Sequence, residues 1–147
     1  MGVFRFLAMM AALLACWSGA RAGDGRAIFL KSCATCHFAS RDPARRDEMV
    51  APPIDVMAVH VRLATGGDRA AFIRQVVDYV RAPAAEKSVD PMAVERFGLM
   101  PAIGDTFPDL TEADLALVAG WMYDAHLDLQ MPTGAAAGRG MGGGRGR

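Results

Sequence analysis

Apolar residues recur at the period of a helix in several stretches of this chain, separated by turn-forming residues. Residues 23–36 make the first stretch, with Asp24 as its expected N-cap and Ile28, Phe29 and Cys33 near one face. Residues 54–64 predict a second helix, closed by Gly66-Gly67, a pair suited to a C-terminal turn. Asp68 then caps a third helix running to about Arg81. Its apolar positions are Phe72, Ile73, Val76, Val77 and Val80, and Pro83 ends it. Asp90-Pro91 has the form of an N-cap followed by proline at the first helical position, opening a brief helix through Ala93, Val94 and Phe97 to Gly98. Thr111 with Asp114 three residues on predicts a capping box at the start of the last helix. Leu115, Val118, Ala119 and Met122 form that helix's apolar face, with Trp121 beside it. The proline-bearing stretches 40–53 and 99–108 read as loops. No strand alternation and no internal repeat is evident, so the expected class is all-α, with about four to five short helices.

The two ends of the chain have a different character. Residues 1–22 read as a secretory signal: Arg5 supplies the positive start, 6–15 are apolar, and Ala20-Arg21-Ala22 offers small residues for cleavage. The apolar run is short of the roughly 20 residues of a membrane span, so the cleaved chain is expected to lack an integral span. A lipid anchor through Cys16 is the lesser alternative, since Leu14 suits that processing poorly. Residues 134–147 are rich in Gly, Ala and Arg and have no apolar pattern to bury, which predicts a disordered tail. Residues 23–133 are left as the one folded domain. They carry 16 acidic and 11 basic residues, a balance of −5, while the tail carries three arginines and no acid. This body has no nucleic-acid-binding character.

Cleavage after Ala22 would remove Cys16 and leave two cysteines, Cys33 and Cys36. A disulfide between residues so close in sequence would constrain little of the unfolded chain. The run Cys33-Ala34-Thr35-Cys36-His37 matches instead the pattern for covalent haem attachment. Its two thiols can each add to a haem vinyl group, and His37 follows directly as the proximal iron ligand. For three Cys and three His in 147 residues, a chance match is roughly one in a thousand. A thioredoxin-like dithiol would need a preceding strand in a βαβ unit, and a zinc site would need a fourth ligand pattern, for which the mature chain has no second Cys pair.

A second axial ligand would close the iron site. A thioether favours ferrous iron and raises the potential, and Met100 sits in a proline-punctuated loop, Leu99-Met100-Pro101-Ala102. The bland reading of Met100 is core packing, the usual fate of methionine. Met131 also precedes a proline but borders the tail, and Met92 and Met122 fall on predicted helices. His60 reads as a surface or locally hydrogen-bonded group. His126, near the end of the last helix, is placed where an imidazolium suits the helix dipole.

With these residues in place, the chain resembles the class I cytochromes c, in detail their small bacterial periplasmic monohaem members. The resemblance spans residues 25–125. It implies a fold of short helices around one covalently attached haem c, in which the first and last helices cross. Gly25 and Phe29 match positions of that family's first helix, and Trp121 matches the aromatic position of its last. It also implies a proline whose carbonyl orients the proximal histidine. Ala51-Pro52-Pro53 falls at that place, with Pro53 favoured over Pro52. The 68–81 helix and the Gly/Arg tail depart from the simplest members. The implied function is periplasmic one-electron transfer between a redox donor and an acceptor, themselves periplasmic proteins or membrane-bound complexes, with no catalytic residues. The rivals are a haem-bearing subunit of a sulfur-, nitrogen- or alcohol-oxidising complex, and a haem-based sensor module.

Overall fold

Why the chain folds into separate short helices is visible at their ends. The computed structural model describes residues 22–130, and among these every regular element is helical, with no strand. The α-helices are α1 (Ala22–Lys31), α2 (Ile54–Ala64), α3 (Arg69–Arg81), α4 (Pro91–Phe97), α5 (Ile103–Thr106) and α6 (Glu112–Ala125). Three 3₁₀ turns lie at Cys33–Thr35, Pro43–Glu48 and Ala85–Lys87. The expected signal segment, Cys16, Met131 and the Gly/Arg tail fall outside the described residues, apart from Ala22 at the start of α1.

Local chemistry sets the boundaries. The Asp68 side chain accepts from the Ala71 amide at 2.6 Å, and that of Asp90 accepts from the Ala93 amide at 3.0 Å. Thr111 and Asp114 form the reciprocal capping box: Thr111 Oγ1 accepts from the Asp114 amide, and the Asp114 carboxylate accepts from the Thr111 amide. Gly66 and Gly67 both hold positive φ after α2, as does Gly98 after α4. These four helices follow the periodicity of the sequence closely.

Three expectations are corrected. The first helix does not continue to Cys36, and Asp24 lies inside it rather than capping it. The α-helix ends at Lys31: the Ser32 amide still donates to the Ile28 carbonyl at 3.1 Å, but the Ser32 carbonyl accepts from the Thr35 hydroxyl at 2.7 Å while the Cys36 amide turns to the Cys33 carbonyl. Such side-chain bonds compete with the helical ladder, and the backbone tightens into the 3₁₀ turn. The 40–53 stretch is not wholly loop: Asp42 caps the turn that begins at Pro43. Likewise, 99–108 contains α5, held by the burial of Ile103.

Packing begins with α1 against α6. A β-carbon at Gly25 would overlap the Leu117 carbonyl group and lie 2.9 Å from Trp121 Cβ, so the two backbones meet where only glycine fits. Beside this crossing, Phe29 is 1% exposed and its ring centroid lies 4.9 Å from that of Trp121. α3 packs on α6 as well, and Phe72, fully buried, meets Tyr123 edge-on at 5.1 Å. One core cluster joins Ala58, Val61, Phe72 and Met122, and a second joins Val77, Ile103 and Leu115. No helix among the described residues is long and apolar enough to cross a membrane.

Candidate functional site

The turn that follows α1 faces a cavity of about 260 Å³. Cys33, Cys36, His37, Pro52 and Met100 all line it, although Met100 is 63 residues beyond His37 in the chain. Apolar side chains supply most of the remaining wall, among them Phe29, Val61, Val76, Val118 and Met122. A concave apolar site with a few placed polar groups is the usual form of a cofactor site. The helix-crossing residue Phe29 and the core residue Met122 therefore belong to both the core and the cavity wall.

The backbone of the turn fixes the motif. The Cys36 and His37 amides both donate to the Cys33 carbonyl, at 3.1 and 2.9 Å. The Ile54 amide donates to the Phe38 carbonyl at 2.8 Å, which ties the chain beyond His37 to the start of α2. Cys33 and Cys36 are free thiols, Cys33 half-buried and Cys36 exposed. Burial pushes the Cys33 thiol up, against a smaller opposing pull from its contact with the Ser32 hydroxyl. Cys33 is thus held in its protonated, uncharged form.

His37 Nδ1 lies 2.7 Å from the Pro52 carbonyl oxygen. A carbonyl only accepts, so Nδ1 carries the proton and donates, which leaves the Nε2 lone pair free. Burial lowers the His37 pKa, with the Pro52 bond acting in the opposite direction, so the ring is held neutral. A neutral imidazole with its second nitrogen fixed by a carbonyl is the form that ligates a metal. The partner is Pro52 and not Pro53, which corrects the preference drawn from sequence. Pro53 is buried at the N-cap of α2, where its own carbonyl accepts from the Met57 amide at 3.2 Å.

Met100 is half-buried and packs against the Val77, Ile103 and Leu115 cluster while lining the cavity. Its packing role and its place in the site are therefore compatible. His60 and His126 do not line the cavity. His60 Nδ1 pairs with Asp90 at 2.9 Å, the hydrogen-bonding role expected of it, although across 30 residues of chain. His126 departs from expectation. Burial lowers its pKa, so the neutral ring is favoured over the imidazolium, and its Nε2 is buried without a hydrogen-bond partner among the described residues.

Sequence reasoning did not identify Gln75, Tyr79, Lys87 and Ser88, which place polar groups on the cavity wall. Gln75 carried a usable signal, a polar residue between Phe72-Ile73 and Val76-Val77 on an otherwise apolar face. Its amide nitrogen donates to the Lys87 carbonyl at 3.0 Å and pins the 82–90 connection to α3. Lys87 reaches back to Asp78 at 3.1 Å.

Among known proteins, the chain is similar to an uncharacterized protein of Aquifex aeolicus (strain VF5). The two are 34% identical over 112 residues, 67% of this chain and 71% of that one. The chain belongs to the same family as that protein. No family model matches the chain, and no solved structure matches it at a significant level.

Proposed function

We propose that this protein is a periplasmic class I c-type cytochrome that carries single electrons through one covalently bound, His/Met-ligated haem c. The observation that carries this reading is the convergence of Cys33, Cys36, a carbonyl-oriented neutral His37 and Met100 on one apolar cavity. The donor set fits the group: two thiols, an imidazole with a free Nε2 lone pair and a thioether are what a haem c requires. When bound, the haem supplies one-electron exchange between ferrous and ferric iron.

The chain's own residues supply everything else. Cys33 and Cys36 would hold the haem covalently, each through a thioether to one of its vinyl groups. Pro52 holds His37 in the tautomer that leaves Nε2 unprotonated, the atom that would ligate the iron. Met100, on the same cavity, would offer its thioether sulfur as a second iron ligand, and a site holding both donors would suit electron exchange better than substrate binding. The apolar wall excludes water and raises the cost of added charge at the iron. The negative balance of residues 23–133 would steer the protein towards a basic patch on its redox donor or acceptor. Export by the N-terminal segment is part of the same reading.

Absorption spectra of purified holoprotein in both oxidation states test it. The expected result is a low-spin haem that stays attached on acid–acetone extraction, with the red charge-transfer band of methionine-ligated ferric iron. Extractable haem would overturn the attachment. High-spin ferric iron that binds cyanide rapidly would overturn the carrier and favour an open, ligand-binding site.

A further inference from the structure

The segment that presents Met100 has a weak hold on the core. No residue of α4 is buried, and Pro91, Met92, Glu95, Arg96, Gly98 and Leu99 are exposed. Ala93, Val94 and Phe97 of the same segment nevertheless form part of the cavity wall. A wall with few buried apolar contacts is a locally unstable one, so its ends must hold it. At the far end, Met100 and Ile103 dock on the core cluster. At the near end, Asp90 divides its carboxylate between two tasks. One oxygen caps α4 through the Ala93 amide at 3.0 Å, and the other meets His60 Nδ1 at 2.9 Å. The two side chains are 15% and 19% exposed, well shielded for a polar pair. His60 lies midway along α2, a helix anchored by the buried Ala58, Val59 and Val61. The Ser88 hydroxyl accepts from the Asp90 amide at 3.2 Å and steadies the same corner.

From this arrangement we infer that His60 is a positioning residue: through Asp90 it fastens α4 to α2 and so sets how Met100 is presented to the cavity. The inference rests on the reading of Met100 as an axial ligand. The bond from His60 fixes the Asp90 carboxylate in the orientation that caps α4. The short helix then hands a defined backbone direction to Gly98, whose φ of 81° turns the chain towards Met100. Without the His60 bond, this end of α4 would have no side-chain bond to α2 and would rely on the packing of Val89 and on the Ser88 and Gln75 bonds that hold the preceding connection.

The test compares wild-type, His60→Ala and His60→Asn holoproteins. The Asn side-chain amide places a donor where Nδ1 stands, so it should restore the bond. Three quantities are read: the methionine charge-transfer band on warming, amide exchange across 90–98, and global unfolding by far-ultraviolet circular dichroism. We expect His60→Ala to lose the band at lower temperature than wild type, well before global unfolding. Exchange at Ala93 and Val94 should be about tenfold faster, the loss of one charge-assisted hydrogen bond. His60→Asn should return both towards wild type. A band and exchange unchanged in His60→Ala would overturn the inference. So would band loss that merely coincides with global unfolding, because His60 would then be a general stability contact. If wild type lacks the band, ligation by Met100 fails instead, and exchange across 90–98 alone decides whether His60 holds α4.

Discussion

Gly25 and Leu117 are in backbone contact: a β-carbon at residue 25 would overlap the Leu117 carbonyl, which no side-chain adjustment can relieve. The crossing of α1 and α6 sets the position of Phe29, and with it one wall of the cavity beside Cys33. Gly25→Ala should therefore destabilise the protein by about 1–3 kcal/mol, the usual effect of overpacking. Gly104 is a control, since a β-carbon there meets nothing within 4 Å. Gly104→Ala should be neutral or slightly stabilising. Urea unfolding of both variants checks the pair, and a Gly25→Ala variant as stable as wild type would refute the close crossing.

Replacing Met100 by Leu separates packing from ligation. Leucine conserves volume against the Val77, Ile103 and Leu115 cluster, so stability should change by less than about 1.5 kcal/mol. The thioether is lost, so the charge-transfer band should vanish and the reduction potential should fall. Potentiometry beside thermal unfolding decides it. An unaltered spectrum would leave Met100 a packing residue only.

The carbonyl that orients His37 belongs to Pro52, so the bond should survive substitution of either proline. In Pro53→Ala the chain still reaches the N-cap of α2 with the Pro52 carbonyl in place, at a cost of up to about 1 kcal/mol from a looser unfolded chain. The hydrogen-bonded Nδ1 proton of His37 should remain visible by proton NMR in Pro53→Ala. Its disappearance there would show that Pro53 sets the orientation of the imidazole ring indirectly.

His126 should make the fold sensitive to mild acid. Burial lowers its pKa below the ordinary 6.5; nearby Asp55 opposes this, and Arg62 adds to it. The unfolded chain therefore binds the proton more readily than the folded one. His126 costs no stability above pH 6.5, and stability falls as pH drops below that value towards the folded pKa. His126→Gln should flatten this part of the stability profile, below pH 6.5. Denaturant unfolding at several pH values measures it, and parallel wild-type and variant profiles would exclude His126 as the source.

Much of this architecture is legible in the chain because local rules decide it. Asp68, Asp90 and Thr111 mark helix starts through bonds to amides three residues away. Gly66, Gly67 and Gly98 mark ends through positive φ. The Cys33 to His37 run is contiguous, so its match to the pattern for haem attachment is visible without a fold. Where side chains compete with the backbone, periodicity misleads. At the end of α1 the Thr35 hydroxyl takes the Ser32 carbonyl that a longer helix would offer to the Cys36 amide.

By itself, then, the sequence determined the helical class, most helix boundaries and the residue types able to hold a haem, all consequences of spacing along the chain. Tertiary structure decided which distant groups meet. It chose the Pro52 carbonyl over that of Pro53, because the latter is taken up by the first turn of α2. It brought Met100 to the cavity of His37 by docking the residues that follow α4 on the α3–α6 core. It paired His60 with Asp90, which no local rule links. Such pairings depend on how helices pack in three dimensions, and the one-dimensional pattern records that packing only where, as at Gly25, two backbones come too close for any side chain.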